Sequence, residues 1–337
     1  MGYFMTSRSQ NRPNIRAVAM QAGVSTATVS RAINTPERLD PETLKRVLHV
    51  VQELGYVPNL TGRSLVMGRT HAVGVVVPNV GWPLFASFAR GIEMELNAST
   101  LMPIIVSTDD LQDREKDAAR ALVERSVDGL ILISSNLAPG EIERLAPNMF
   151  RVHINPQIDG HEHQIRVDDV AGGYLAADHL IKSGHKRIAH VAGEFRSGRD
   201  RAQGFLKRLS EEGLEPFVLY TGDFTVEAGE KSVDKILEIG VPDAIFAASD
   251  LMAAGVCRAL NRAGLRVPDA VSVMGYDDNP IAALLDPPLT TIRQLDIELG
   301  KMAGKMFLSL MEGEEAHSEI IVPELIERQT TRSRLRR

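Results

Sequence analysis

One cysteine in 337 residues, Cys257, excludes a disulfide within the chain and fits a reducing compartment. No run of about 18 apolar residues occurs, so no membrane-spanning helix is expected. The first 20 residues hold no apolar stretch of signal-peptide length, and the leader MGYFMTSRSQNRPN is polar and expected to be disordered. The expected location is the cytoplasm. Aromatic residues make up 5% of the chain, with a single tryptophan, Trp82. A Gly-x-x-x-x-Gly-Lys-Ser/Thr phosphate loop is missing, and so is a Gly-x-Ser-x-Gly nucleophile elbow, so enzymatic chemistry is not expected. His161-Glu-His163 has a spacing that suits a metal. It stands in the polar loop PQIDGHEHQ without further ligands, and is expected to be solvated. Neither a metal nor a cofactor is expected.

What is present is uneven in charge. The net charge is −6, yet residues 1–69 hold nine Lys and Arg against four acids, and the remainder holds 29 against 40. A basic head on an acidic body points to a polyanion-binding module joined to a different one. Within the head, Asn14 caps a helix over 15–22, which Gly23 stops. Ser25 caps a second helix from Thr26 to about Ile33, with Val29, Ala32 and Ile33 inward and Thr26, Ala27, Ser30 and Arg31 outward. Asp40-Pro41 opens a third, ended by Gly55, whose apolar stripe is Leu44, Val47, Leu48, Val51 and Leu54. Two short helices about a Gly-containing turn form a helix-turn-helix, whose second helix enters the DNA major groove. Small and hydroxyl residues there allow close approach and reach phosphates, and Arg31 can fork onto a guanine edge. The candidate DNA contacts in this helix are Ser25, Thr26, Ala27, Thr28, Ser30, Arg31 and Asn34.

Next, Asn59 can cap a short helix over 60–66, too short to hold alone in water, so it reads as a conditional hinge. IRAVAMQAGVSTATVSRAIN, followed by ELGYVPN and RSL, resembles the amino terminus of the LacI/GalR family of bacterial repressors. The resemblance implies paired hinge helices that push a leucine into the minor groove, a known way to kink DNA. Leu65 stands at that position, flanked by Asn59 and Arg63 as further DNA contacts. This chain has Gly62 where the family usually has alanine.

From residue 71 on, apolar strands alternate with helices: HAVGVVVP, MPIIVST, GLILIS and FRVHIN, then RIAHVAG, FVLYTG, AIFAAS and VSVMGYDD. The expected fold is α/β, a helix-turn-helix domain followed by two lobes, each a doubly wound parallel sheet, with ligand at the carboxyl ends of the strands. The resemblance implies the fold of periplasmic sugar-binding proteins, with a tail that revisits the first lobe before ending in the second. The expected domains are 13–58 for the DNA-binding part, 59–69 for the hinge, and 70–337 for effector binding and dimerisation. The first lobe takes about 70–162 plus 293–322, and the second about 163–292 plus 323–337.

Candidate effector contacts lie at strand ends. Trp82 and Phe85 form an aromatic wall or belong to the core, and Leu84, a further candidate between them, stands where the family commonly has phenylalanine. Asn155, Arg201 and Asp277 match positions at which the family binds ligand. Arg199, two residues before Arg201, suggests a second fork for a carboxylate. Ser249 and Asp250 close a strand, and Asp250 either meets ligand or caps the next helix. With the helix-turn-helix, the resemblance implies a homodimeric, sequence-specific repressor of a carbohydrate or sugar-acid operon, bound to palindromic operator DNA and switched by a small effector. The alternative is a sugar-binding protein of transport with no DNA role. The sense of the switch stays open.

Overall fold

The computed structural model describes residues 13–56 and 69–334. The proposed hinge segment, with Asn59, Arg63 and Leu65, lies outside the described residues. The chain divides into two compact units, one ending at Thr70 and one beginning at His71.

The first unit is built from three helices, α1 (Ile15–Ala22), α2 (Thr26–Asn34) and α3 (Pro41–Leu54). The side chains of Asn14, Ser25 and Asp40 each accept a hydrogen bond from a backbone N–H in the first turn of their helix. Gly23 ends α1 at φ +65°, a left-handed conformation that only glycine adopts without strain. Val18, Ala19, Ala22, Val29, Ala32, Val47 and Val50 form the core. Each fully buried valine contributes roughly 1.5–3 kcal/mol. One expectation needs correction: Leu48 is exposed, and Val50 takes the inward position instead. Arg46 Nε donates to the Ala22 carbonyl at 3.1 Å, tying α3 to the turn before α2.

The second unit has two lobes. In the first, six parallel strands run in the order β11-β5-β4-β3-β1-β2: β1 (Ala72–Val77), β2 (Met102–Ser107), β3 (Gly129–Ile133), β4 (Phe150–Ile154), β5 (Gln164–Val167) and β11 (Glu319–Ile321). Strand alternation sends Val73, Val75, Ile131 and Ile133 towards α4 (Pro83–Leu96) and α11 (Asp296–Glu312). It sends Val76, Leu130 and Leu132 the other way, towards α5 (Gln112–Glu124) and α6 (Pro139–Leu145). A sheet covered on both faces is apolar on both, which is why its strands read as continuous hydrophobic runs.

In the second lobe the order is β7-β6-β8-β9: β6 (Ile188–Gly193), β7 (Val218–Gly222), β8 (Ala244–Ala247) and β9 (Ser272–Met274). Helices α7 (Asp169–Lys182) and α8 (Arg196–Glu211) cover one face. The other face is covered by α9 (Val226–Ile239) and α10 (Asp250–Arg262).

Two elements depart from expectation. The segment expected to end the first lobe at residue 162 continues into β5, which pairs with β4 and β11 inside the first sheet, so the crossing into the second lobe comes at Asp168. The run EIIVPEL is not one strand: β11 belongs to the first lobe, and β12 (Glu324–Ile326) pairs antiparallel with β10 (Thr291–Arg293). Those two strands are the second and third crossings between lobes. Asp278 ties β10 to the chain just past β12, pairing with Arg293 at 2.7 Å and with Arg328 at 2.6 Å.

Candidate effector cleft and DNA-binding face

In each lobe the strand order reverses about the first strand, between β2 and β3 around β1 and between β7 and β8 around β6. Loops leaving opposite ways open a crevice there. Those loops meet in one cleft between the lobes. The first lobe contributes Pro78, the Trp82–Phe85 turn, Asp110, Ser134 and Asn155–Gln157. The second contributes Phe195–Ser197, Phe224, Ser249, Leu251, Asp277 and Asn279. Asp110, Ser134, Asn155 and Asp277, all of which line the cleft, have positive φ, between 46° and 114°.

Of the sequence candidates, Trp82, Leu84, Phe85, Asn155, Arg201, Ser249 and Asp277 line the cleft. The rings of Trp82 and Phe85 stack at 5.7 Å, and Phe85 also reaches the first-lobe core. Asn155 Oδ1 accepts from Val167 N at 2.9 Å, so its amide N–H groups are the part left to face the cleft. Ser249 caps α10, accepting from Met252 N at 3.2 Å.

Two candidates are elsewhere. Arg199 stands on the outer face of α8, where its Nη1 donates to the Glu194 carbonyl at 2.6 Å. Asp250 is fully buried behind the cleft wall; it accepts from Thr291 Oγ1 at 2.6 Å and Asn279 N at 2.7 Å. It neither faces the cleft nor caps α10. Burial, then the nearby Asp277, pushes its carboxyl well above the usual range.

Arg201 organises the cleft floor. Its Nε donates to Asp169 at 2.8 Å, Nη1 donates to the Ala248 carbonyl and lies 3.6 Å from Asp277, and its plane covers the Tyr276 ring at 3.6 Å. All of this happens at 2% exposure. Burial raises both carboxyls, that of Asp277 to about 7, while the shared guanidinium draws both down. The Gln294 amide also donates to Asp277, which links the cleft floor to the second crossing.

Sequence reasoning passed over Phe195, Phe224, Arg166, Arg196 and Asp200. Phe195 and Phe224 stack at 5.6 Å and give the second lobe its own aromatic wall. Each stands two residues beyond a strand-ending glycine, in Gly193-Glu194-Phe195 and Gly222-Asp223-Phe224, a local repeat that marks them.

His161, expected in solvent, is buried and stacks on His153 at 3.8 Å. Burial, first of all, lowers the pKa of both rings. Among the described residues no group of His, Cys, Asp and Glu is arranged to hold a metal ion. No helix there is long and apolar enough to cross a membrane.

In the first unit, Ser25, Thr26, Ala27, Arg31 and Asn34 are exposed, and Thr28 and Ser30 are half-buried beside them. Ser25 and Thr28 hydroxyls lie 2.9 Å apart, and Asn34 donates to Ser30 at 3.3 Å. The result is a small polar surface along α2 with one long cation.

A helix-turn-helix unit on the same chain as a two-lobed, parallel-sheet binding body defines a class, the regulators that carry DNA contacts and a small-molecule cleft together. Residues 14–59 match the family of bacterial regulatory proteins, lacI family, and residues 177–331 match the periplasmic binding protein-like domain. The HTH-type transcriptional repressor CytR of Escherichia coli (strain K12) is 32% identical over 337 residues, covering 97% of this chain and 98% of that protein. Catabolite control protein A of Priestia megaterium is 33% identical over 325 residues, covering 94% of this chain and 98% of its own length. Among solved structures, the lac repressor dimer bound to operator and the anti-inducer ONPF superimposes with a TM-score of 0.89 at 28% identity, covering 95% of this chain and 99% of that one. A complex of the transcriptional regulator CelR with cellobiose gives 0.72 at 29% identity, covering 95% and 100%. The chain belongs to the lacI family of bacterial regulatory proteins: it is a DNA-binding transcriptional regulator and not an enzyme.

Proposed function

We propose that the protein is a cytoplasmic repressor of a carbohydrate-utilisation operon, acting as a homodimer on a palindromic operator, with a neutral sugar or glycoside bound between its lobes as effector. The observation that carries the ligand class is the cleft floor. Asp277 offers a carboxylate and Asn155 an amide, and aromatic walls stand on both lobes, a set that suits hydroxyls and the flat face of a sugar ring. A sugar acid is disfavoured. Arg201 is committed to Asp169, Ala248 and Asp277, Arg199 lies outside the cleft, and Arg166 and Arg196 are paired with carboxylates. The relative CelR, solved with cellobiose, supports a carbohydrate.

On the DNA side the proposal places Ser25, Thr26, Ala27, Thr28, Ser30, Arg31 and Asn34 in the major groove. The family resemblance adds Asn59, Arg63 and the Leu65 wedge.

Trp82 is the only tryptophan in the chain and lines the cleft, so its emission reports occupancy directly. Titrating a panel of neutral mono- and disaccharides is expected to give a saturable change with at least one sugar and none with the matching uronic or aldonic acids. The same sugar is expected to leave the Trp82→Phe variant silent. A panel of sugars that leaves Trp82 emission flat throughout removes the carbohydrate assignment.

A further inference from the structure

The rim of the cleft carries a ring of four charges that joins the lobes. On the first lobe, Asp159 sits in the loop between β4 and β5, and Arg166 sits on β5. On the second, Arg196 and Asp200 occupy the first turn and a half of α8. Arg196 Nη1 donates to Asp159 at 2.7 Å, across the gap between lobes. Arg166 also reaches Asp159 at 3.1 Å and lies 3.9 Å from Asp200, which in turn is 3.4 Å from Arg196 Nε. A further cross-lobe bond runs beside the ring: the Arg196 backbone N–H donates to Gln157 Oε1 at 2.9 Å. The hydrogen bonds from Arg196 hold the Asp159 carboxyl below the usual range.

Arg166, Arg196 and Asp200 line the cleft, whereas Asp159 does not. Asp159 is largely exposed, with 76% of its side chain accessible. Its loop is held from beneath: His161 packs on His153, Gln157 N donates to the Ser135 carbonyl, and the Glu162 carbonyl accepts from Ser318. The carboxylate is thus offered to the opposite lobe from a fixed base.

We infer that Asp159 is a positioning residue which acts through Arg196 to latch the two lobes over the cleft, so that the charge ring, and not packing alone, sets how often the cleft stands open. It extends the assignment of this cleft as the effector site, and it can be measured with no ligand present. A ring this close to water is weakened by salt, since the Debye length falls from about 10 Å at 0.1 M to about 3 Å at 1 M. For a partly exposed pair the expected change in the open-to-closed ratio on losing one partner is about two- to fivefold.

The test uses the full chain with Cys257→Ser and spin labels on Asp113→Cys in the first lobe and Glu227→Cys in the second, both exposed, each at the start of the helix that follows a cleft-lining residue, Asp110 or Phe224. Double electron–electron resonance then reads the distance across the cleft. Asp159→Asn is expected to move population to the longer distance by that factor at low salt. Sodium chloride at 1 M is expected to do the same to the unsubstituted ring while moving Asp159→Asn little further. Asp159→Glu is expected to restore the short distance in part, and Arg196→Gln is expected to reproduce Asp159→Asn without adding to it. The thermal midpoint of Asp159→Asn is expected to stay that of the parent. The inference is overturned if Asp159→Asn leaves the distance distribution and its salt dependence unchanged. It is equally overturned if Asp159→Asn lowers the thermal midpoint with unchanged distances, because Asp159 would then be a structural tie of its loop. A flat Trp82 titration beside a salt-sensitive latch would leave the latch standing and remove only the ligand class.

Discussion

Replacing Arg201 by methionine is expected to lower the stability of the second unit by about 3–5 kcal/mol, the range found when one partner of a buried ion pair is removed. The guanidinium is 2% exposed and neutralises two nearly buried carboxylates, Asp169 at 2.8 Å and Asp277 at 3.6 Å. Methionine keeps most of the volume and the contact with the Tyr276 ring, so the loss isolates charge from packing. The deficit is expected to depend on pH. Burial already raises both carboxyls above their unfolded values, Asp277 to about 7, and without the cation they rise further. A folded-state pKa above the unfolded one favours the protonated folded protein. The deficit is therefore largest above pH 7 and shrinks as pH falls towards the ordinary carboxylate range. Urea unfolding of Arg201→Met at pH 8 and pH 5.5 checks both statements. A deficit below about 1 kcal/mol, or one that grows on acidification, contradicts the cluster as described.

Gly204→Ala is expected to cost about 3 kcal/mol or more, at the upper end of overpacking penalties. Helices α7 and α8 touch backbone to backbone. A Cβ built at Gly204 would stand 1.8 Å from the Val170 carbonyl oxygen, and one at Gly173 would stand 1.9 Å from that of Arg201. Backbone cannot swing aside as a side chain can, so the added methyl must part the helices. Arg201 rides on α8, three residues before Gly204, and Asp169 begins α7. Parting the helices therefore lengthens the Arg201–Asp169 bond as well. Chemical denaturation reads the stability, and Trp82 titration with the active sugar reads the cleft; both are expected to fall together. A Gly204→Ala protein as stable as its parent would mean that the helices can separate at no cost.

How far the structure could be read from the sequence depended on how local each signal was. Asn14, Ser25, Asp40, Gly23 and Gly55 act within one turn of chain: all three helices of the first unit begin, and α1 and α3 end, where those residues indicate. The stripe of α3 was ambiguous because Leu44, Val47, Leu48 and Val51 fit helical spacing as well as Val47, Val50, Val51 and Leu54. Packing against two helices at once chose Val50 and left Leu48 exposed. Strand β5 holds four residues, with only Ile165 and Val167 buried, too short an alternation to stand out beside a polar loop. Arg199 was misplaced for a different reason. It stands two residues before Arg201 on α8, and side chains two apart on a helix point to nearly opposite sides, so Arg199 faces outward while Arg201 faces the cleft floor. Asp250 was misjudged by one residue, since Ser249 supplies the cap and the carboxylate turns into the interior.

The central claim is that one chain couples its cleft to its grip on DNA. The direct measurement is the dissociation constant of the full-length protein for palindromic DNA from its own promoter region, at fixed salt, with and without a saturating amount of the sugar that changes Trp82 emission. Coupling of about 1–3 kcal/mol is expected, a change of roughly five- to 150-fold in that constant, in either direction. Binding of the sugar at the cleft with an unaltered dissociation constant for the DNA would contradict it.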